Sequence, residues 1–286
     1  MLRARILTAV ILLAGFLAAL FWLPRVGWIA LVGIWLPRVG WIALVGSVLA
    51  VAAWEWAGLA RLGPLSRGIY ALAIAAAGTW AGWNAGAEPG PLLEHSWLYV
   101  AAAVFWVVLA PVWLWERPAF ATPAMPLLAG VIVLVPNAAA MVALRGESPV
   151  LLLAVMAVVW ISDIAAYFAG RRFGRRKLAP SISPGKTWEG VYGALAAVTV
   201  YATGWLAAAA GSRPGTLRQA ALGELWFVLL LLGLAAVGIV GDLLESQMKR
   251  QAGVKDSGTA LPGHGGVLDR IDALLPVLPL AALVFL

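Results

Sequence analysis

The sequence predicts an all-α integral membrane protein, a polytopic bundle of about nine transmembrane helices with a cytoplasmic N-terminus. Three observations lead there. Apolar residues make up 63% of the 286 positions and charged residues only 12%, with a mean hydropathy of +0.93. A soluble domain of this length needs roughly twice that share of charge to cover its surface. The apolar runs are long and continuous rather than alternating, which selects helices over a closed barrel as the way to satisfy the backbone in lipid. The third observation is the uneven placement of basic residues, which sets the threading.

Taken in order, the spans run approximately Ile6–Leu23, Val39–Leu59, Gly68–Trp83, Trp97–Trp115, Ala124–Leu144, Val150–Phe168, Gly190–Ala210, Leu222–Gly241 and Val267–Leu286. Arg3 and Arg5 ahead of the first run also fit a cleaved signal peptide; more apolar sequence follows directly, which favours a span. With the N-terminus inside, only Arg25, Arg38, Arg145, Arg213 and Arg218 of the 20 basic residues fall on the outer side. The segment Asn84–Ser96 carries Glu88 and Glu94 and no Lys or Arg, as an outer loop should. Trp83, Trp97 and Trp115 fall near span ends, where interfacial aromatics gather. Pro111, Pro126 and Pro136 lie inside spans and should kink them, with neighbouring groups meeting the freed carbonyls.

Two features concern organisation. Trp22–Gly33 and Trp35–Gly46 read the same twelve residues, WLPRVGWIALVG. Identity at every position marks a recent tandem duplication or an assembly error rather than a solenoid. The first copy is placed as an outer, interfacial extension of the second span and receives no function. The chain divides into N-terminal helices over 1–150 and a C-terminal transmembrane region over 151–286, which holds a polar stretch at 242–272.

Chemistry is sought where charge interrupts apolar sequence, because an ionisable group at a span centre costs about 2.5–3.5 kcal/mol or more. Four places qualify: Glu55, Asp163, Asp242 with Glu245, and Asp269–Arg270–Asp272. Glu55, between Trp54 and Trp56, reads most simply as snorkelling to the interface or pairing with an arginine. Asp163 lies deeper and points to a polar cavity. On a helix, Asp242, Glu245, Ser246 and Lys249 share one face, as do Asp269 and Asp272. Carboxylates on two converging helix ends can hold Mg²⁺, a hard ion that prefers oxygen. Neighbouring lysines and arginines can neutralise phosphates. Gly265 and Gly266 beside His264 let backbone N–H groups approach phosphate oxygens. Such a set suits phosphoryl or nucleotidyl transfer, where catalysis is positioning and charge stabilisation. The chain has no cysteine and only two histidines, so thiolate chemistry and a multi-histidine metal centre are excluded.

The stretch Ser246–Asp272, SQMKRQAGVKDSGTALPGHGGVLDRID, resembles the signature of the phosphatidate cytidylyltransferases. Ser246, Lys249, Arg250, Lys255, Asp256, Gly258, Pro262, His264, Gly265, Gly266, Asp269, Arg270 and Asp272 match at the family's spacing. Ser162-Asp163 with Ala166-Tyr167 and Gly170-Arg171 resembles the family's acidic span, and Ser183–Gly190 its Ser-Pro…Lys-Thr loop. The resemblance implies transfer of CMP from CTP to phosphatidate in a multi-pass protein of the cell (inner) membrane, with the site facing the cytoplasm.

By similarity, Asp242 and Asp269 carry an Mg²⁺ site, with a second cation such as K⁺, and Asp163 and Glu245 help to shape it. Lys186, Lys249, Arg250, Lys255 and Arg270 contact the CTP phosphates or the lipid phosphate, with Ser246, Gly265 and Gly266 beside them. His264 either donates to a phosphate oxygen or holds the glycine turn. A homodimer is implied, and no nucleic-acid partner. A secondary transporter would show two related halves with broken helices at matching positions, and no such symmetry is present. A sister enzyme acting on an isoprenoid or ether-lipid phosphate remains an alternative.

Overall fold

The computed structural model describes residues 14–15, 36–85, 96–118, 122–211, 223–263 and 265–286. The first expected span, the first copy of the duplicated segment and His264 lie outside these residues.

The described chain is a helical bundle. Its elements are α1 (Leu36–Leu59), α2 (Pro64–Ala85), α3 (Ser96–Val104) continued through a π-turn (Phe105–Leu109) into α4 (Ala110–Glu116), and α5 (Ala124–Glu147). There follow α6 (Pro149–Phe173), strands β1 (Lys177–Ala179) and β2 (Ser183–Thr187), α7 (Trp188–Gly211), α8 (Glu224–Ala252), the single turn α9 (Leu268–Ile271) and α10 (Leu274–Phe285). Among the described residues, six stretches are long and apolar enough to cross a membrane: Arg38–Leu59, Ser96–Glu116, Ala124–Glu147, Pro149–Phe173, Trp188–Ala208 and Glu224–Ala252. Helix α2 has the length but is less apolar, and α10 is a shorter apolar helix.

Helix α5 is the axis and α7 the periphery: 72% of the apolar stretch of α5 is buried in the protein, against 17% for α7. Buried side chains from Trp41 to Ala282 form one contiguous core, so the two halves of the sequence share their packing. Small residues allow the closest approaches, as membrane helices require. A side chain at Gly130 would overlap Trp56 and Tyr70, whose Nε1 and hydroxyl instead donate to the Pro126 and Leu127 carbonyls at 2.7 and 2.9 Å.

The prolines are handled in different ways. Ahead of Pro111, which has no N–H to give, the helix loosens into the π-turn, where the Ala110 N–H donates to the Phe105 carbonyl. Pro126 sits in the first turn of α5, a position with no intrahelical partner to lose. Pro279 frees the Leu275 carbonyl in α10, and Asn137 of α5 donates to both Leu274 (2.9 Å) and Leu275 (3.4 Å). Asn137→Ala is therefore expected to cost about 1 kcal/mol, read as a lower unfolding midpoint in detergent; an unchanged midpoint would deny Asn137 this part.

Two expectations need correction. The segment with Ser183–Thr187 is not a plain loop in an all-α protein: β1 and β2 pair antiparallel, with Lys177 opposite Thr187 and Ala179 opposite Ser183. Thr187 then caps α7, accepting the Gly190 N–H at 3.2 Å. The ninth span does not start at Val267: the chain makes the single turn α9 and resumes as α10 at Leu274. Asp269 and Asp272 therefore lie outside the apolar helix.

Polar contacts gather the helix ends. At one end, Arg61 donates to Gln251, Arg117 to Ser181 at 2.7 Å, and Gln251 to Pro118 at 3.0 Å. Arg61 and Arg117 each take a left-handed backbone there. At the other end, Arg38 donates to Trp83 and stacks on its ring, and Arg145 stacks on Trp41.

Candidate active site

Helix α8 supplies the centre of the site. The three- and four-residue spacing puts Asp242, Glu245, Ser246 and Lys249 on one face, and they meet there: Ser246 Oγ donates to Asp242 Oδ1 at 3.3 Å, and Lys249 Nζ pairs with Glu245 Oε2 at 2.6 Å. The hairpin brings Lys186 to Asp242 Oδ2 at 2.5 Å. Asp163 of α6 is within electrostatic reach of both Asp242 and Lys186, as is Asp272. Lys249 also donates to Asp269 Oδ1 at 2.7 Å. The result is two neighbouring carboxylate groups: Lys249 bridges Glu245 and Asp269, and Lys186 pairs with Asp242.

Asp269 organises the loop before it. Its Oδ2 accepts the Ser257 and Gly266 N–H groups at 3.0 and 2.8 Å. Burial works to raise the Asp269 pKa, but Lys249 and these two amides outweigh it and hold the carboxyl below the usual range. Burial first, and then the charge of Asp242, push the Asp272 carboxyl up to about 7.

After α8 the chain turns through Gly253, left-handed at φ 76°, with the Val254 N–H on the Lys249 carbonyl. It then forms a tight return in which the Leu261 N–H meets the Gly265 carbonyl at 2.9 Å, with Gly263 and Gly265 at φ 76° and 85°. Only glycine adopts these angles freely. The loop bounds an open cavity of about 730 Å³ lined by Lys255, Asp256, Gly258, Thr259, Leu261, Pro262, Gly263, Gly265 and Arg270.

Most of the expected residues are thus brought together. Lys186, Asp242, Ser246, Glu245, Lys249, Asp269 and Asp163 form the charged centre; Lys255, Arg270 and Gly265 line the cavity; Gly266 is buried between them. Arg250 is turned instead to the hairpin, where its Nε donates to the Ile182 carbonyl at 3.3 Å.

Two further residues belong to the site. Asp272 joins the Asp242 group, and the spacing that pairs it with Asp269 was a visible sign. Glu55 neither snorkels nor pairs with an arginine among the described residues. It is 4% exposed and accepts hydrogen bonds from Ser257 Oγ (3.1 Å), Val267 N (3.1 Å) and Leu268 N (2.8 Å).

Asp163 and Asp272 each lie within electrostatic reach of Asp242, and carboxylate oxygen is the donor a hard cation prefers. Among the described residues, however, no three acidic or histidine side chains stand close enough to form a coordination shell, and Asp269 has both oxygens engaged.

A model of the Cytidylyltransferase family matches residues 3–286. The phosphatidate cytidylyltransferase of Haemophilus influenzae is 36% identical over 98% of this chain and 96% of its own length. That of Pseudomonas aeruginosa is 40% identical over 99% and 96%. That of Bacillus subtilis is 44% identical over a shorter region, 43% of this chain and 42% of its own. Coverage of this extent, with the charged centre and its glycine return in place, settles membership: the chain belongs to the cytidylyltransferase family.

Proposed function

We propose that this protein is a CTP:phosphatidate cytidylyltransferase, a membrane nucleotidyltransferase of phospholipid biosynthesis that makes CDP-diacylglycerol and pyrophosphate. The observation that carries the reading is the cavity of about 730 Å³, lined by Lys255 and Arg270, in a loop whose two ends bond Asp269, the partner of Lys249. Full-length similarity to two proteins named for this activity supports it.

In this reading the cavity receives CTP, with Lys255 and Arg270 on its phosphates and the Gly263–Gly265 return letting backbone approach them. The lipid phosphate is already an anionic nucleophile, so no strong general base is required. One of its oxygens forms a bond to the α-phosphorus of CTP while the bond from that phosphorus to the β-phosphate oxygen breaks, and pyrophosphate departs with the electron pair. Lys186 and Lys249 suppress repulsion between the two anions.

Mg²⁺, and a second cation such as K⁺, would be held by Asp242 and Asp163, with Asp269 and Glu245 available once Lys249 turns to phosphate. When bound, the metal supplies charge neutralisation at the triphosphate. His264 donates to a phosphate oxygen or holds the turn.

The same proposal covers the threading: nine spans, N-terminus and site on the cytoplasmic side of the inner membrane, and a homodimer. Segments expected inside contact one another, as Arg61 with Gln251 and Arg117 with Ser181, while expected outer residues meet at the opposite end, as Arg38 with Trp83.

The test is an assay of purified protein in detergent with radiolabelled CTP, phosphatidate and Mg²⁺. Metal-dependent CDP-diacylglycerol is the expected result. CTP binding without product from phosphatidate would move the reading to another lipid phosphate, and no CTP binding would end it.

A further inference from the structure

Glu55 belongs to α1, 202 residues before Ser257, and lies between Trp54 and the fully buried Trp56. A buried carboxylate is costly unless donors meet its oxygens. The three donors the structure gives it all come from the two ends of one loop. Ser257 Oγ is at the start of that loop, and the Val267 and Leu268 N–H groups are at its end. Gly258 and Gly266 make room, since a side chain on either would overlap the Glu55 carboxylate.

The backbone N–H groups of Ser257 and Gly266 bond Asp269. Each end of the loop is therefore held between Glu55 and Asp269, and Gly258, Thr259, Leu261, Pro262, Gly263 and Gly265 between those ends form most of the cavity wall.

We infer that Glu55 is a positioning residue for the nucleotide cavity: by clamping both ends of the 257–266 loop it fixes the wall on which the triphosphate is received. Loss of the clamp leaves the bundle standing but lets the wall open. The inference rests on the proposed CTP site for its kinetic consequence, but not for its structural one.

The test uses the full chain in detergent with Glu55→Gln and Glu55→Ala. Glutamine keeps one acceptor oxygen and alanine keeps none, so the effect grades between them. With hydrogen bonds to a charged group removed, the KM for CTP is expected to rise about tenfold or more in Glu55→Ala, with kcat changed less than about threefold. The KM for phosphatidate stays unchanged. Amide hydrogen exchange is expected to accelerate across 257–268 and not in α5. Exchange unchanged at 257–268, or accelerated equally in α5, would overturn the clamp, the second outcome marking a general loss of stability. An unmoved CTP KM beside a loosened loop would overturn the positioning role. If the wild-type protein makes no cytidylylated lipid, the function proposal fails, and the exchange measurement alone decides the clamp.

Discussion

Asp242→Asn is expected to lower turnover by about a thousandfold, the scale of removing one preorganised electrostatic group from an active site. Asp242 has charged neighbours on three elements: Lys186 on the hairpin at 2.5 Å, Asp163 on α6, and Asp272 after α9. Asparagine preserves the size and can still accept from Ser246, but loses the charge that holds Lys186 and attracts a cation. The fold should survive, because Lys186 and Asp242 remain 25% and 30% exposed and the freed ammonium can reach water. Two measurements on the same preparation check this: CDP-diacylglycerol formation across a magnesium series, and the unfolding midpoint. Turnover within tenfold of wild type at a normal midpoint would remove Asp242 from the centre of the mechanism.

Asp269→Asn is expected to abolish measurable turnover for a different reason. Asparagine can offer its carbonyl oxygen to the Ser257 and Gly266 amides, so the glycine return has a means to form. Its NH₂ group would then face the Lys249 ammonium, which keeps its pairing with Glu245. The lysine would fall out of register with the cavity wall.

Activity near wild type would remove both the loop role and any metal-ligand role for Asp269. A raised CTP KM with an unchanged magnesium requirement would favour the loop role over the ligand role. The native carboxyl is held below its ordinary range, so its stabilisation is fully present above the unfolded carboxylate pKa and is lost only as acid titrates it in the folded state. Neutral-pH assays of the variant therefore report the missing charge and not a titration.

Hydropathy was enough to find the helices because lipid leaves the backbone few choices. Each expected span within the described residues has a helix, with ends set by local signals such as Ser148 capping α6 ahead of Pro149. The charged face of α8 was equally legible, since it depends only on helical spacing.

What escaped depends on partners distant in sequence. Nothing in WEWAGL says that Glu55 will meet amides some two hundred residues away. Nothing in Arg250 distinguishes a hairpin carbonyl from a phosphate. The short strands were hidden because Lys177–Thr187 has no apolar alternation and gains its shape from the ends of α6 and α7. The start of the last helix was misjudged because Val267 and Leu268 extend the apolar run, although the Asp272–Ala273 turn breaks it.

The sharing of Lys249 between Glu245 and Asp269, 2.6 and 2.7 Å away, has a thermodynamic consequence for the order of events. One ammonium cannot serve two carboxylates and an incoming triphosphate equally. To the extent that the nucleotide draws Lys249 away, it leaves two acids short of positive charge, and a metal ion becomes the natural replacement. In the proposed reaction nucleotide and cation would then be linked ligands, and linkage is reciprocal: whatever factor the one adds to the affinity of the other is returned unchanged. In the proposed reaction, a site wired in this way would hold each ligand loosely alone and both firmly together.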